Sequence, residues 1–257
     1  MREGRIIQSQ DQHGGSTALE IFDDLEGLSR AGAALFITEA KRAVEVSGRF
    51  TVALAGGSTP RRTYELLAEP PLREKVAWAP VHIFWGDERC VPLDDPRSNE
   101  HMARLALLDR VPIPSDHIHP IACLSDPAKS ATDYETALHE AFPGGTARFD
   151  LIFLGLGEDG HTASLIPGDP ALGEHERWTA AVVSKDPGRV TLTYTVLNQG
   201  SIVAFLVSGA TKSDALRQVL EDTNAADSLP AARVRPVNGI LRFLVDAPAA
   251  SRLTNRT

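Results

Sequence analysis

The segment at residues 153–168 reads FLGLGEDGHTASLIPG and sets His161 behind a glycine-rich turn, with Asp159 two residues before it. A carboxylate beside an imidazole fixes the ring's tautomer and raises its basicity, which a general base working near neutral pH requires. By pattern alone the same segment satisfies G-x-G-x-x-G through Gly155, Gly157 and Gly160, the spacing of a dinucleotide-binding turn. Two features oppose that reading. A long helix must follow the third glycine so that its N-terminus meets a pyrophosphate, yet Pro167 and Gly168 interrupt within eight residues. Glu158 and Asp159 also put negative charge where the pyrophosphate would lie. A catalytic His161 fits better than a nucleotide.

Three further stretches carry chemistry. In AGGSTPRR (55–62), Gly56 and Gly57 permit a sharp turn and close backbone approach, Ser58 or Thr59 can cap a helix, and Pro60 suits its first turn. Free N–H groups at such a helix start accept a phosphate. Without the G-K-[ST] of a Walker A loop, a nucleoside triphosphate is not indicated. Arg61 and Arg62 oppose the helix dipole unless an anion is near; the stretch also reads as an ordinary strand-turn-helix with solvated arginines. In WGDERCVPLDD (85–95), Asp87, Glu88 and Arg89 read, taken alone, as a solvated, salt-bridged turn; the functional alternative is that the carboxylates hold the Arg89 guanidinium in a direction where it stabilises an oxyanion. In VSGATKSDAL (207–216), Lys212 sits near a helix start, either as a second phosphate ligand or as a surface lysine.

Each of these stretches must be placed by the element before it. Short β-rich runs recur at 50–55, 81–85, 149–154, 180–184, 190–195, 202–208 and 241–246, several nearly continuous in apolar residues as in strands buried on both faces. Between them, Leu25, Leu28, Ala31 and Leu35 through Val44, Tyr64 with Leu67, Met102 with Leu105 and Ala106, and Tyr134 with Leu138 recur at helical spacing. Alternating strands and helices predict an α/β fold with a mostly parallel sheet covered on both faces. Ligands in such folds sit beyond the C-terminal strand ends, here the loops after Ala55, Trp85, Leu154 and Ser208.

Bulk properties narrow the partners. The 257 residues fit one α/β domain spanning 1–257, and 42% hydrophobic with 23% charged residues is the balance of a folded chain. A formal net charge of −8 argues against binding nucleic acid or membrane surfaces, so an anionic substrate needs a locally basic pocket. The N-terminus has no signal-like apolar region and no apolar run reaches about 18 residues, so a cytoplasmic protein is expected. Cys90 and Cys123, without C-x-x-C spacing, are expected as reduced thiols. His117 and His119 in HIHP lack a third metal ligand at recognisable spacing and read as a solvated loop; no H-E-x-x-H or Gly-x-Ser-x-Gly motif occurs. A monomer and a small homo-oligomer both remain open.

The four loops, in this order, resemble the 6-phosphogluconolactonase family, a relative of the glucosamine-6-phosphate deaminases. The matching elements are LAGGSTP (54–60), WGDER followed by VP and Ser98-Asn99, the stretch 149–168, RVTLT (189–193), SGATK (208–212) and LPAARVRPVNGILRFLVD (229–246). The resemblance covers roughly residues 20 to 250. It implies a Rossmann-like three-layer α/β sandwich without a nucleotide, no metal or organic cofactor, and hydrolysis of 6-phospho-D-glucono-1,5-lactone to 6-phosphogluconate in the oxidative pentose phosphate pathway. By resemblance His161 is the base that takes a proton from water, Asp159 its support and Arg89 the oxyanion or orienting group. Gly56, Gly57, Ser58 and Thr59 are then the phosphate cradle, with Arg189 and Lys212 as its cations.

The deaminase branch is the rival. Its members resemble M-D-E-Y where this chain has Gly86-Asp87-Glu88-Arg89, and D-G-H-I-A-F-N-E where it has DGHTASLI, so Ile166 stands in place of their acidic residue. Loss of that carboxylate and gain of Arg89 both favour the lactonase. A non-catalytic sugar-phosphate sensor, which would keep the cradle and lose His161 or Arg89, ranks below an enzyme. Ile166 in place of a common phenylalanine, and Arg242-Phe243 in place of a tryptophan-containing segment, read as packing variation.

Overall fold

The computed structural model describes residues 5–10, 16–123 and 125–254. The chain runs β1 (Arg5–Gln10), β2 (Ser16–Phe22), α1 (Leu25–Ser47), β3 (Phe50–Leu54), α2 (Ser58–Leu67), β4 (Val81–Trp85), β5 (Asp87–Arg89), α3 (Asn99–Ala106), α4 (Pro127–Ala141) and β6 (Leu151–Leu154). It continues β7 (Thr179–Val182), β8 (Arg189–Leu192), α5 (Tyr194–Leu197), β9 (Ile202–Val207), α6 (Ser213–Glu221), α7 (Ala225–Ser228) and β10 (Ile240–Asp246).

Seven strands form one sheet in the order β1-β2-β10-β9-β6-β3-β4, parallel throughout except for β1 at one edge. Strands β3, β6 and β9 are buried along their whole lengths, which explains their unbroken apolar sequences. Helix α1 is fixed at both ends. The Asp24 carboxylate accepts the Gly27 N–H at 2.8 Å, and Gly48, at φ 77°, closes the helix by donating to the Val44 carbonyl.

The chain leaves β3 through α2 for the β4 edge, whereas β6, hydrogen-bonded beside β3, is followed by β9 and β10 on the other side. The order therefore reverses between β3 and β6. At such a reversal the loops leaving two neighbouring strands part and open a crevice. Here those loops begin at Ala55 and Gly155, so the topology itself brings the AGGST and GEDGH stretches together.

Several expectations are corrected. The runs at 180–184 and 190–195 do not enter the parallel sheet; as β7 and β8 they form an antiparallel sheet with β5, in the order β5-β8-β7. Only residues 183–188 join them, too few for the crossover that parallel pairing demands. The chain also turns into α5 at Tyr194. Strand β2 carried no clear signal because its buried centre includes Glu20, an ion-pair partner of Arg242 on neighbouring β10. Cys90 and Cys123 are joined in a disulfide with their Cα atoms 4.4 Å apart, not held as separate thiols. The segment after α3 returns along β4, where the His119 N–H donates to the Ile83 carbonyl at 2.9 Å, and this delivers Cys123 to the end of β5.

The HIHP segment is likewise not a solvated loop. His117 stacks on His82 of β4 and His119 on Phe84, with ring centroids 3.8 and 4.3 Å apart. Among the described residues, no group of three or more His, Cys, Asp or Glu is arranged to hold a metal ion, and no helix is long and apolar enough to cross a membrane.

Candidate active site

Past the end of β6 the chain folds into a tight turn: the Gly157 N–H donates to the His161 carbonyl at 2.8 Å and the Gly160 N–H to the Gly157 carbonyl at 3.1 Å. Gly160 adopts φ 76°, which favours glycine, and a side chain there would also run into Leu229. At Gly157 the requirement is space. A Cβ would stand 2.0 Å from Nδ1 of His161 and 2.6 Å from the Asp159 carboxylate. Of the glycines that imitate a dinucleotide turn, Gly157 thus serves to seat a histidine against the backbone. No helix follows Gly160; residues 162–165 close a short bridge instead.

His161 Nδ1 and Asp159 Oδ1 are 2.5 Å apart, and the His161 backbone N–H also donates to that carboxylate, at 3.2 Å. Burial disfavours the Asp159 anion, but the hydrogen bonds from the His161 ring and backbone outweigh it and hold the carboxyl below the usual aspartate range. An ionised Asp159 accepting from Nδ1–H leaves Nε2 as the basic nitrogen.

Facing this loop, α2 starts at Ser58 behind Gly57, which sits at φ 100°. Neither Ser58 nor Thr59 caps the helix: the cap is Gly57 and no side chain bonds to the first turn. The open first turn leaves backbone N–H groups that could accept an anion. Gly56 is needed because Asn99 of α3 lies against it, its Oδ1 1.7 Å from where a Cβ would be. Arg62 points away from this site, pairing with Glu26 at 2.8 Å and Glu65 at 3.2 Å, and Arg61 lines a separate surface groove.

The arginines of the small sheet form the third wall. Arg89 of β5 and Arg189 of β8 are register partners across the ladder. Like charges placed opposite each other repel, and burial first, then the Arg89 charge, pushes the Arg189 guanidinium below its usual pKa. Both side chains bury an Nε that has no partner. Two facing guanidiniums with unpaired donors are the arrangement an anion would complete.

Neither reading of this stretch holds: Asp87 and Glu88 are buried rather than solvated, and they do not orient Arg89. Its Nη1 donates to the Arg97 carbonyl at 2.6 Å. Glu88 instead secures the start of α3, accepting from the Arg89, Asn99 and Glu100 N–H groups at 2.7 to 2.8 Å and from the Ser98 hydroxyl at 3.0 Å. Its burial, helped by neighbouring Asp87, raises its pKa against those donors. Asp87 accepts from Ser164 Oγ at 2.6 Å and from Asn99 Nδ2 at 3.3 Å. A sequence cannot tell a carboxylate that binds its neighbouring arginine from one that binds the start of the next helix.

Gly56, Gly57, Ser58, Thr59, Arg89, His161, Arg189 and Lys212 line one cleft of about 210 Å3, with Asp159 behind His161. Lys212 ends the turn after β9, its Nζ 3.7 Å from the Glu158 carboxylate. Every site residue expected from the sequence therefore meets at the same crevice. Asp87, Asn99 and Ala163 line it as well; Ala163, at φ 47°, gave no sequence signal.

A model of the glucosamine-6-phosphate isomerases/6-phosphogluconolactonase family matches residues 23–243. The chain belongs to this family. A 6-phosphogluconolactonase from Nostoc sp. is 42% identical over 241 residues, spanning 92% of this chain and 98% of that protein. Its counterpart from Haemophilus influenzae is 35% identical, over 79% of this chain and 87% of its own. The solved 6-phosphogluconolactonase from Trypanosoma brucei superposes with a TM-score of 0.78 at 31% identity, covering 92% of this chain and 98% of that one. A monomeric glucosamine-6-phosphate deaminase shares the fold, with a TM-score of 0.75 at 21% identity. In this chain, the crevice at the sheet reversal joins a histidine–carboxylate pair to three cationic side chains.

Proposed function

We propose that this chain hydrolyses 6-phospho-D-glucono-1,5-lactone to 6-phospho-D-gluconate in the cytoplasm, as the second step of the oxidative pentose phosphate pathway. The observation that carries the reading is the His161–Asp159 pair in a cleft with Arg89, Arg189 and Lys212. The substrate phosphate binds at the open start of α2, through the backbone of Gly56, Gly57, Ser58 and Thr59, with Lys212 and Arg189 supplying countercharge. His161 Nε2 takes a proton from water as the oxygen attacks the lactone carbonyl. Arg89 stabilises the oxyanion that forms. Collapse of the intermediate breaks the bond to the ring oxygen, and the imidazolium returns its proton there, leaving an open-chain acid. Asp159 keeps Nδ1 protonated throughout and offsets the imidazolium charge.

The names of the relatives support lactone hydrolysis, and two positions favour it over the isomerisation of an amino sugar phosphate. Arg89 offers a cation to an ester oxyanion, and at the position of the deaminases' acidic residue Ile166 is buried and apolar. The test compares hydrolysis of the phosphorylated lactone with that of the unphosphorylated 1,5-lactone, subtracting the uncatalysed rate. The reading predicts a kcat/KM at least about 10²-fold higher for the phosphorylated substrate, since at least two charge-assisted contacts are lost without it. Equal rates would remove the cradle from the account. No acceleration of either would overturn the activity and direct the protein to an amino-sugar-phosphate isomerisation assay.

A further inference from the structure

Nothing in the base-and-cradle scheme uses Asp87, yet it is a carboxylate only 6% exposed that lines the cleft. A buried carboxylate is costly unless its oxygens are satisfied, and the groups satisfying this one belong to two different walls of the site. Oδ2 accepts from Ser164 Oγ at 2.6 Å, and Ser164 lies three residues after His161 on the same loop. Oδ1 accepts from Asn99 Nδ2 at 3.3 Å, while the same amide nitrogen donates to the Asp87 carbonyl at 2.8 Å. Asn99 is the side chain pressed against Gly56.

The limb through Ser164 is reinforced from the neighbouring strand. Asp87 and Thr191 are register partners across β5 and β8, and the Ser164 N–H donates to Thr191 Oγ1 at 3.2 Å. The loop carrying His161 is thus docked on the ladder that carries Arg89 and Arg189. Ala163, the residue before Ser164, holds φ 47°, a conformation that costs a non-glycine residue about 1 kcal/mol and persists only where its surroundings hold it. Docking of Ser164 is the restraint next to it.

We infer that Asp87 is a positioning residue that sets the distance between the base and the phosphate cradle, holding His161 through Ser164 and Gly56 through Asn99. The inference rests on the lactonase reading above. For a substrate anchored by its phosphate and attacked at its carbonyl, that distance decides whether water, base and carbonyl align. The two limbs are separable: loosening the Ser164 side moves the base, and loosening the Asn99 side moves the cradle.

The experiment measures lactone hydrolysis and, separately, the dissociation constant for inorganic phosphate by calorimetry, on Ser164→Ala, Asn99→Ala, Asp87→Ala and Asp87→Asn, with thermal unfolding as the folding control. Ser164→Ala is expected to lower kcat by about 10²-fold while phosphate affinity stays within about twofold, since a misplacement near 1 Å costs that much in rate. Asn99→Ala is expected to weaken phosphate binding and raise KM by about tenfold, with kcat within about threefold, as for loss of a ground-state contact. Asp87→Ala combines both losses. Asp87→Asn retains most of the activity, because an amide can accept from Asn99 and donate to Ser164. A structural role alone would lower stability without dividing the two constants between the two limbs. Parallel changes in kcat and phosphate affinity in both single-limb variants, or none in either, would overturn the inference. An inactive wild type would sink the lactonase reading instead, while the phosphate titrations still read the Asn99 limb.

Discussion

Replacing Gly157 with alanine perturbs the proposed base without substituting any group assigned to chemistry. The added Cβ would stand 2.0 Å from His161 Nδ1, whereas ordinary contact begins at 3.4 Å, so the ring must retreat by about 1.4 Å. The same methyl crowds the Asp159 carboxylate, and the 2.5 Å bond between the two side chains cannot survive such a displacement. A misplacement of about 1 Å costs about 10²-fold in rate, equivalent to about 2.7 kcal/mol of barrier. Stability should change by no more than about 1 kcal/mol, because the half-exposed ring can swing towards solvent rather than strain the core. Gly155→Ala is the control, since its Cβ would meet no atom within 4 Å. Steady-state lactone hydrolysis should show kcat reduced about 10²-fold in Gly157→Ala, with KM nearly unchanged and Gly155→Ala close to wild type. Retention of kcat within threefold in a folded Gly157→Ala would show that the glycine does not seat the base.

Two other regions yield predictions. Burial, followed by the charges of His117, His119 and Arg49, lowers the His82 pKa from 6.5 to about 4, against the opposing effect of Asp116. Between those values the unfolded chain binds the proton that the folded chain refuses, so stability is full above pH 6.5 and falls as pH drops towards about 4. Urea unfolding across that range should show a shallower pH slope in His82→Phe than in wild type; an unchanged slope would exclude the cluster as its source. The Cys90–Cys123 bond closes a separation of 33 residues, which on the chain-entropy model constrains the unfolded state by about 3–4 kcal/mol. Protein unfolded without reductant should present no free thiol, and reduction should release two and lower the denaturant midpoint; thiols free before reduction would contradict the pairing.

The parallel sheet was legible because its central strands are buried on both faces and write that burial as unbroken apolar runs. Placing the candidate site at strand ends followed from the same rule, and the glycine-rich turns marked the ends whose loops line one cleft. What escaped depends on who pairs with whom. The separate sheet of β5, β7 and β8 required knowing that a connection is too short to cross over, and the disulfide required the path of the segment returning along β4. Glu88 and Arg89 are adjacent in sequence yet bond to different parts of the fold, so adjacency suggested an ion pair that does not form. The facing of Arg89 and Arg189 is a register fact across 100 residues of sequence separation, and no local pattern encodes it.

In the proposed mechanism His161, backed by Asp159, activates water for attack on a phosphorylated lactone. The most direct test generates the 6-phosphogluconolactone in situ and follows its disappearance with wild type and His161→Ala at equal concentration, subtracting spontaneous hydrolysis. Acceleration by the wild type should fall by about 10²- to 10⁴-fold in the variant, while inorganic phosphate binds both proteins alike. Full activity in a folded His161→Ala would contradict it.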